Sequence, residues 1–227
     1  MTRRITADRI SVAGVELVGD LIVEDHAVGL VLFAHGSGSS RHSPRNRAVA
    51  SALNRRGLAT LLVDLLTADE ERLDEQTGQL RFDIGLLADR VVGIVDWLGG
   101  QPDTAMLPLG LFGASTGAAA ALVAAAARPA AVRAVVSRGG RPDLSGPALL
   151  EVQAPTLLIV GERDTYVWEL NERARNSLRA LAELRIIPTA THLFEESGTL
   201  DQVAEQAGDW FGTYLPPAAG AAGREGR

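Results

Sequence analysis

One five-residue segment, Gly113-Ala114-Ser115-Thr116-Gly117, constrains the fold of this chain more than any other. It stands between an apolar stretch at 107–112 and an alanine-rich stretch at 118–127. We predict a short strand, a tight turn and a helix, because small residues on both sides of a serine let strand and helix approach closely. Such a turn strains the serine backbone and presents its hydroxyl at the helix N-terminus, where the helix dipole favours negative charge. The pattern predicts a nucleophilic serine; a turn that uses small residues only for close packing is the alternative.

The length and composition fit one soluble globular domain with a substantial core. The 227 residues are 46% hydrophobic and carry a net charge of −6, and all 22 basic residues are arginine. No basic cluster of the kind that nucleic acids require is present, so we expect no nucleic-acid partner. Because cysteine is absent, disulfides, thiolate catalysis and cysteine-ligated metals are excluded.

Nothing in the sequence predicts export or membrane insertion. Asp8, Arg9 and Glu16 interrupt any apolar core that a secretory signal at the start of the chain would need. No apolar run approaches the ~20 residues required to cross a bilayer. We therefore expect a cytoplasmic protein without a membrane partner.

Strand-like and helix-like segments alternate along the chain, which is typical of an α/β fold with a mostly parallel sheet and helices on both faces. After an opening hairpin at 10–12 and 16–23, strands are predicted at 29–34, 58–63, 107–112, 132–137, 156–160 and 184–187. Helices are predicted at 44–56, 84–98 (capped by Asp83), 118–127, 167–182 and 200–214, with a surface loop or short helix at 67–80. We expect one domain over 1–215 and a disordered Ala/Gly/Pro-rich tail over 216–227.

A serine hydroxyl needs a base, and the base needs an orienting partner. Of the four histidines, only His192 follows the last predicted strand, at the edge where the sites of open α/β sheets lie. Asp164 follows the preceding buried strand at the same edge and is the predicted acid. Glu162 and Asp143 compete for that role, because each also follows a strand.

The loop after the strand at 29–34 predicts a site for developing negative charge. In His35-Gly36-Ser37-Gly38 the glycines permit close backbone approach, and we predict an oxyanion hole made by the N–H groups of Ser37 and Thr116. The loop lacks the Gly-Lys-Ser/Thr ending of a phosphate-binding loop, which disfavours a nucleotide site. His35 is interpreted as a hydrogen-bonded structural residue.

These motifs, taken in chain order, resemble those of the α/β-hydrolase superfamily and, more narrowly, of the dienelactone hydrolase family. The resemblance runs from about residue 10 to residue 211, and it includes segments 39–46 and 137–143, which are similar to one branch of that family. It implies an α/β-hydrolase fold, a triad in the order Ser115, Asp164 and His192, and hydrolysis of esters or lactones. The founding dienelactone hydrolases use a cysteine nucleophile, whereas this chain has Ser115.

The segment between the strands at 132–137 and 156–160 is too short for a large lid, which predicts a shallow site that disfavours long acyl chains. Four arginines lie in loops at the same sheet edge, and one or two of them are hypothesised to bind a substrate carboxylate: Arg41, Arg45, Arg138 and Arg141. Salt bridges to Asp64, Glu70 or Asp143 are the alternative for these side chains.

The sequence thus predicts a serine hydrolase of small esters or lactones that needs no metal or organic cofactor. Acyl transfer or perhydrolysis on the same residues, and a non-catalytic small-molecule binding protein with a hydrolase fold, are the alternatives. A homodimer is compatible with the sequence, which does not fix the oligomeric state.

Overall fold

The computed structural model describes residues 2–24 and 26–215, and the predicted tail at 216–227 lies outside them. The described strands form one sheet in the order β1-β2-β4-β3-β5-β6-β7-β8. Their bounds are β1 Thr2–Val12, β2 Val15–Glu24, β3 Leu30–Ala34, β4 Ala59–Val63, β5 Leu109–Ala114, β6 Val132–Arg138, β7 Thr156–Gly161 and β8 Ala182–Ile187. Strands β3 to β8 are parallel to one another, whereas β2 runs antiparallel to β1 and β4. The predicted mostly parallel sheet is therefore confirmed.

Helices cover both faces of the sheet. They are α1 Pro44–Arg55, α2 Ala68–Thr77, α3 Ile84–Gly99, α4 Thr116–Ala127, α5 Thr165–Ser177 and α6 Thr199–Tyr214, with short 3₁₀ helices at Leu80–Phe82 and Pro142–Glu151. Side chains alternate along β3: Leu30 and Leu32 pack with α3 and α4, whereas Val31 and Phe33 pack with α1 and α6. Because both faces are covered, the central strands are buried at every position, which explains their continuous apolar runs.

One predicted helix differs from the structure, and the structure decides between the two alternatives left open for residues 67–80. The predicted helix at 167–182 is wrong at its end: α5 stops at Ser177, and Leu178 has extended backbone angles (φ −61°, ψ 129°). The Leu178 side chain is buried in the core, so packing, and not helix propensity, sets where the helix ends. Residues 67–80 contain a capped helix, in which Thr67 accepts a hydrogen bond from the Glu70 N–H and the Glu70 carboxylate accepts one from the Thr67 N–H.

Among the helices of residues 2–24 and 26–215, none is both long enough and apolar enough to cross a bilayer.

The parallel strands bring distant parts of the chain to one edge of the sheet. The carboxyl ends of β3, β5 and β6 lead directly into His35, Ser115 and Gly139, and those of β7 and β8 lead into the loops that contain Asp164 and His192. Because ligands of open α/β sheets bind outside the carboxyl ends of the strands, this edge holds the candidate functional site.

The packing of α4 on β5 depends on the absence of a side chain at Gly113. A Cβ there would lie 2.4 Å from the Cα of Ala118, so we expect Gly113→Ala to lower the free energy of unfolding by ~1–3 kcal/mol, the usual cost of overpacking. Urea denaturation measures this. Gly99→Ala at the end of α3 is the matched control, because nothing lies within 4 Å of its added Cβ; similar losses in both variants would contradict the packing argument.

Candidate active site

Ser115 occupies the strained turn that the sequence predicts. Its backbone angles are φ 51° and ψ −120°, a left-handed conformation that L-residues rarely adopt, and it directly precedes α4. Such strain costs on the order of 1–3 kcal/mol and persists only where the surroundings impose it. Here the Ser115 N–H donates to the Arg138 carbonyl (3.2 Å), and the Ser115 carbonyl accepts from the N–H groups of Ala118 and Arg141 (both 3.1 Å).

Glycines hold this turn against the end of β3. A Cβ on Gly117 would lie 2.3 Å from the carbonyl oxygens of both Ala34 and His35, and a Cβ on Gly36 would lie 3.0 Å from the Cβ of Ser115. These approaches exclude any side chain at Gly117. The loop after β3 and the serine turn therefore form one packed unit.

His192 and Asp164 form a short hydrogen bond across two loops. The Nδ1–H of His192 donates to Oδ2 of Asp164 at 2.6 Å, which fixes the ring orientation and leaves Nε2 to accept a proton. The Asp164 carboxylate is mostly buried, and the imidazole is partly exposed. This is the base–acid arrangement that a serine nucleophile requires.

The two competing acids have other partners. Glu162 accepts a hydrogen bond from the Thr189 N–H at 2.7 Å and braces the loop before His192. Asp143 accepts two bonds from the Arg141 guanidinium, at 2.8 and 2.7 Å. The geometry therefore favours Asp164 as the partner of His192.

Ser115 and His192 line one cavity of about 200 Å³. The imidazole lies against Gly139, where an added Cβ would be 3.4 Å from ring atoms Nδ1 and Cε1. Gly139 directly follows Arg138, whose carbonyl accepts the Ser115 N–H bond. No hydrogen bond joins the Ser115 hydroxyl to His192 or to any other described residue. Such bonds are often long without substrate and tighten when it binds.

The predicted oxyanion donors lie beside this serine. Ser37 lines the same cavity, next to Gly36, where an added Cβ would come within 3.0 Å of the Ser115 Cβ. Thr116 is the first residue of α4, so its N–H has no partner within the helix. Ser37 therefore lines the cavity of Ser115, and Thr116 directly follows Ser115 at the N-terminus of α4.

His35 connects the loop after β3 to the loop after β4. Its Nδ1–H donates to the Gly36 carbonyl at 2.9 Å, and its Nε2 accepts from the Leu65 N–H at 3.0 Å, which requires the neutral ring because a protonated Nε2 cannot accept. Burial lowers the pKa of His35 below its ordinary value of 6.5, against the opposing effects of the Gly36 bond and nearby carboxylates. His35 is therefore a structural bridge, as the sequence indicates.

The four loop arginines have different environments. Arg41 is bound to Asp64 through its guanidinium and through its N–H (2.6 Å), and Arg141 is bound to Asp143. Neither of these two lines the cavity that holds Ser115, whereas Arg45 and Arg138 do. The sequence does not separate the two pairs, because all four residues follow or flank the same strand ends.

Two residues that sequence reasoning missed shape this site. Phe194 is buried with a left-handed backbone (φ 55°), and its ring centroid lies 5.8 Å from the Arg138 guanidinium carbon. Asn171 of α5 donates to the Gly140 carbonyl at 2.9 Å and so holds the loop against which His192 lies. No local sequence signal marks either residue, since each acts through a contact between distant segments.

Comparisons with known proteins agree with this fold. A family model described as "Alpha/beta hydrolase domain" matches residues 27–209. This chain belongs to the α/β-hydrolase family. A solved structure described as a dienelactone hydrolase from Anabaena variabilis is 58% identical, with a TM-score of 0.92, and the match covers 94% of this chain and 99% of that one. The predicted resemblance and fold, an α/β hydrolase that is dienelactone hydrolase-like, are thus confirmed.

Two further comparisons say less about this chain, one because the identity is low and the other because the match covers only part of the relatives. Est1E from Butyrivibrio proteoclasticus is 16% identical with a TM-score of 0.77, covering 92% of this α/β hydrolase and 98% of Est1E, which shows the fold alone. Proteins from two strains of Mycobacterium tuberculosis, each named "Putative phosphoribosyl transferase", are 59% identical over 205 residues, 90% of this chain but 45% of theirs. The chain spans about half the length of these relatives.

The neutral state of His35 predicts a pH-dependent stability. An unfolded chain protonates this histidine below about pH 6.5, whereas the folded chain, with its lowered pKa, does so only at lower pH, so the unfolded state binds more protons between the two. The free energy of unfolding should therefore fall as pH is lowered from about 7 toward 5, by up to ~1.4 kcal/mol per pH unit. Denaturant unfolding at several pH values measures this slope.

A neutral replacement isolates the contribution of His35 to that slope. In His35→Gln the decline should be shallower than in the wild type, because no titrating ring remains at this position. His42→Gln, at an exposed histidine, is the matched control and should keep the wild-type slope. Identical slopes in all three proteins would contradict the assignment.

Proposed function

We propose that this α/β hydrolase is a serine hydrolase that cleaves small carboxylic esters or lactones through an acyl-enzyme. The observation that supports this most is the 2.6 Å bond between His192 Nδ1 and Asp164 Oδ2 at the cavity of the strained Ser115. A strained serine and an oriented imidazole in one cavity are the parts that acyl transfer to serine needs.

The proposed reaction begins at the Ser115 hydroxyl. Its Oγ attacks the substrate carbonyl while His192 Nε2 takes the proton, and the Asp164 carboxylate stabilises the imidazolium that forms. The N–H groups of Ser37 and Thr116 donate to the oxyanion of the tetrahedral intermediate, and loss of one such donor typically costs ~10²–10³ in rate.

The intermediate collapses when the bond to the leaving oxygen breaks and His192 gives that oxygen its proton. A simple ester then releases its alcohol, whereas in a lactone the new hydroxyl remains attached to the acyl group. Water, deprotonated by His192, attacks the acyl-enzyme and regenerates Ser115. Each proton that His192 takes is returned, so the enzyme ends in its starting state.

The relatives support this proposal unequally. The Anabaena protein described as a dienelactone hydrolase is matched over nearly its whole length, so its name bears on the whole of this chain. More than half of each Mycobacterium relative lies outside the match, so the transferase name does not say which part carries that activity.

A fluorophosphonate probe tests the proposed triad, because it reacts only with an activated serine. We expect labelling of the wild type and none of Ser115→Ala or His192→Ala. Asp164→Asn should lower kcat on p-nitrophenyl acetate by about 10⁴, the effect known for the same change in other triads.

Asp143→Asn is the matched control for Asp164→Asn, because Asp143 is bound to Arg141 and not to His192. It should keep the labelling and most of the wild-type kcat. An unlabelled but folded wild type would favour a non-catalytic binding protein instead.

The size of the cavity predicts a preference for short acyl groups. Between β6 and β7 lies only the 3₁₀ helix Pro142–Glu151, and the cavity holds about 200 Å³. An acyl chain without a pocket gains none of the ~0.8 kcal/mol per CH₂ that burial supplies, so kcat/KM should not rise from p-nitrophenyl butyrate to p-nitrophenyl decanoate. A steady rise would reveal an apolar tunnel and contradict the prediction.

A further inference from the structure

The loop at 188–198, which joins β8 to α6 and is called the His192 loop here, contains two residues whose backbone conformation their side chains disfavour. Thr189, three residues before His192, has φ 63°, and Phe194, two residues after it, has φ 55°. This left-handed region is uncommon outside glycine, and a β-branched residue such as threonine is an outlier there. The proposed base therefore lies between two strained positions.

The two strained residues are held in different ways. Phe194 is only 2% exposed and belongs to the core between α1, α6 and the sheet, and its N–H donates to the Thr191 carbonyl at 3.2 Å. Burial of this aromatic ring offsets the cost of its backbone conformation. Thr189 is exposed, so packing of its side chain does not supply a comparable restraint.

The Glu162 carboxylate holds Thr189 from the neighbouring loop. It accepts a hydrogen bond from the Thr189 N–H at 2.7 Å, and a charged acceptor makes this bond stronger than one to a neutral oxygen. Glu162 is itself fixed beside β8, because its own N–H donates to the Ile187 carbonyl at 3.0 Å. The restraint on Thr189 thus starts from a residue that the sheet keeps in place.

The residues on either side of Glu162 join the same two loops. The Arg163 N–H donates to the Ala190 carbonyl at 2.9 Å, and a Cβ on Gly161 would lie 2.4 Å from that same oxygen. Because the proposed acid follows Glu162 by two residues, this junction also sets where the carboxylate meets the imidazole. Their bond of 2.6 Å depends on both loops keeping their positions, since hydrogen bonds weaken steeply as distance and angle depart from the optimum.

Removal of the Glu162 carboxylate would let the strain at Thr189 relax. Threonine would return to the extended or right-handed backbone that it prefers, and such a change of φ three residues before His192 would turn the chain that carries the imidazole. Glycine adopts a positive φ without steric cost, and asparagine tolerates it. Neither of these residues would need the restraint at position 189.

We propose that Glu162 is a positioning residue of this hydrolase: by holding Thr189 in its strained conformation, it keeps the His192 imidazole against Asp164 at the Ser115 cavity. Glu162 acts on the base through the main chain and makes no contribution as an acid. The effect on ester hydrolysis rests on the proposed function, whereas the placement of the imidazole does not.

Kinetics on p-nitrophenyl acetate test this role. We expect Glu162→Ala to lower kcat about 10- to 100-fold with little change in KM, because a displaced base slows the chemistry and not substrate binding. Glu162→Gln, whose amide oxygen can still accept the Thr189 N–H, should recover most of that loss. Glu169→Ala, at an exposed glutamate of α5 that is paired with Arg173, is the matched control and should keep the wild-type kcat.

Replacement of Thr189 removes the strain and should remove the need for the carboxylate. In the Thr189→Asn and Thr189→Gly backgrounds, the further change Glu162→Ala should lower kcat by less than about 3-fold, because residues that act through one another are not additive. The same loss from Glu162→Ala in these two backgrounds as in the wild type would overturn the proposal, and so would the absence of any loss in the wild type.

Proton NMR follows the imidazole without catalysis. A proton in a short N–H···O bond resonates far downfield of ordinary amides, so the bond from His192 Nδ1–H to Asp164 should give a signal that is missing in Asp164→Asn. We expect Glu162→Ala to weaken this signal and the double variant with Thr189→Asn to restore it. That behaviour in a protein that hydrolyses no ester would refute the proposed function and leave the positioning role standing. Ester hydrolysis together with a signal that Glu162→Ala does not change would overturn the positioning role alone.

Discussion

The close approach of α4 to the end of β3 is the contact on which the rest of the site depends. Because Gly117 has no side chain, the first turn of α4 lies against the Ala34 and His35 carbonyls, and the Ser115 backbone is held in a conformation it would otherwise avoid. The same contact places the loop after β3 over the serine. The Ser115 N–H then joins this unit to β6, whose following loop supports the imidazole of His192.

His35 and Arg138 are both buried near this unit, but they differ in charge and in hydrogen bonding. His35 is kept neutral, and both of its ring nitrogens are used in hydrogen bonds that join two loops. Arg138 stays charged, and its Nε and Nη1 atoms have no hydrogen-bond partner within residues 2–24 and 26–215. A group that is fully bonded contributes rigidity, whereas one that is left unbonded retains its capacity to bind something else.

The sequence predicts the parts of this protein that depend on local patterns. The apolar runs give the buried strands, and the order of Ser115, Asp164 and His192 could be inferred because each follows a strand of one parallel sheet. What could not be predicted depends on contacts between distant segments. Helix α5 ends before Leu178, whose side chain packs in the core. Arg41 binds Asp64, which follows a different strand, and this contact, which distinguishes Arg41 from Arg138, is known only from the fold. The helix at Ala68–Thr77 is different, because Thr67 and Glu70 signal its start in the sequence.

The turn at Ser115 constrains the shape of the residue there more than its reacting atom. A left-handed backbone disfavours β-branched side chains such as threonine, whereas serine and cysteine are both unbranched at Cβ and differ only in the γ atom. The main chain at this turn therefore does not decide between an oxygen and a sulfur atom at the γ position. That choice falls to the atoms around the side chain.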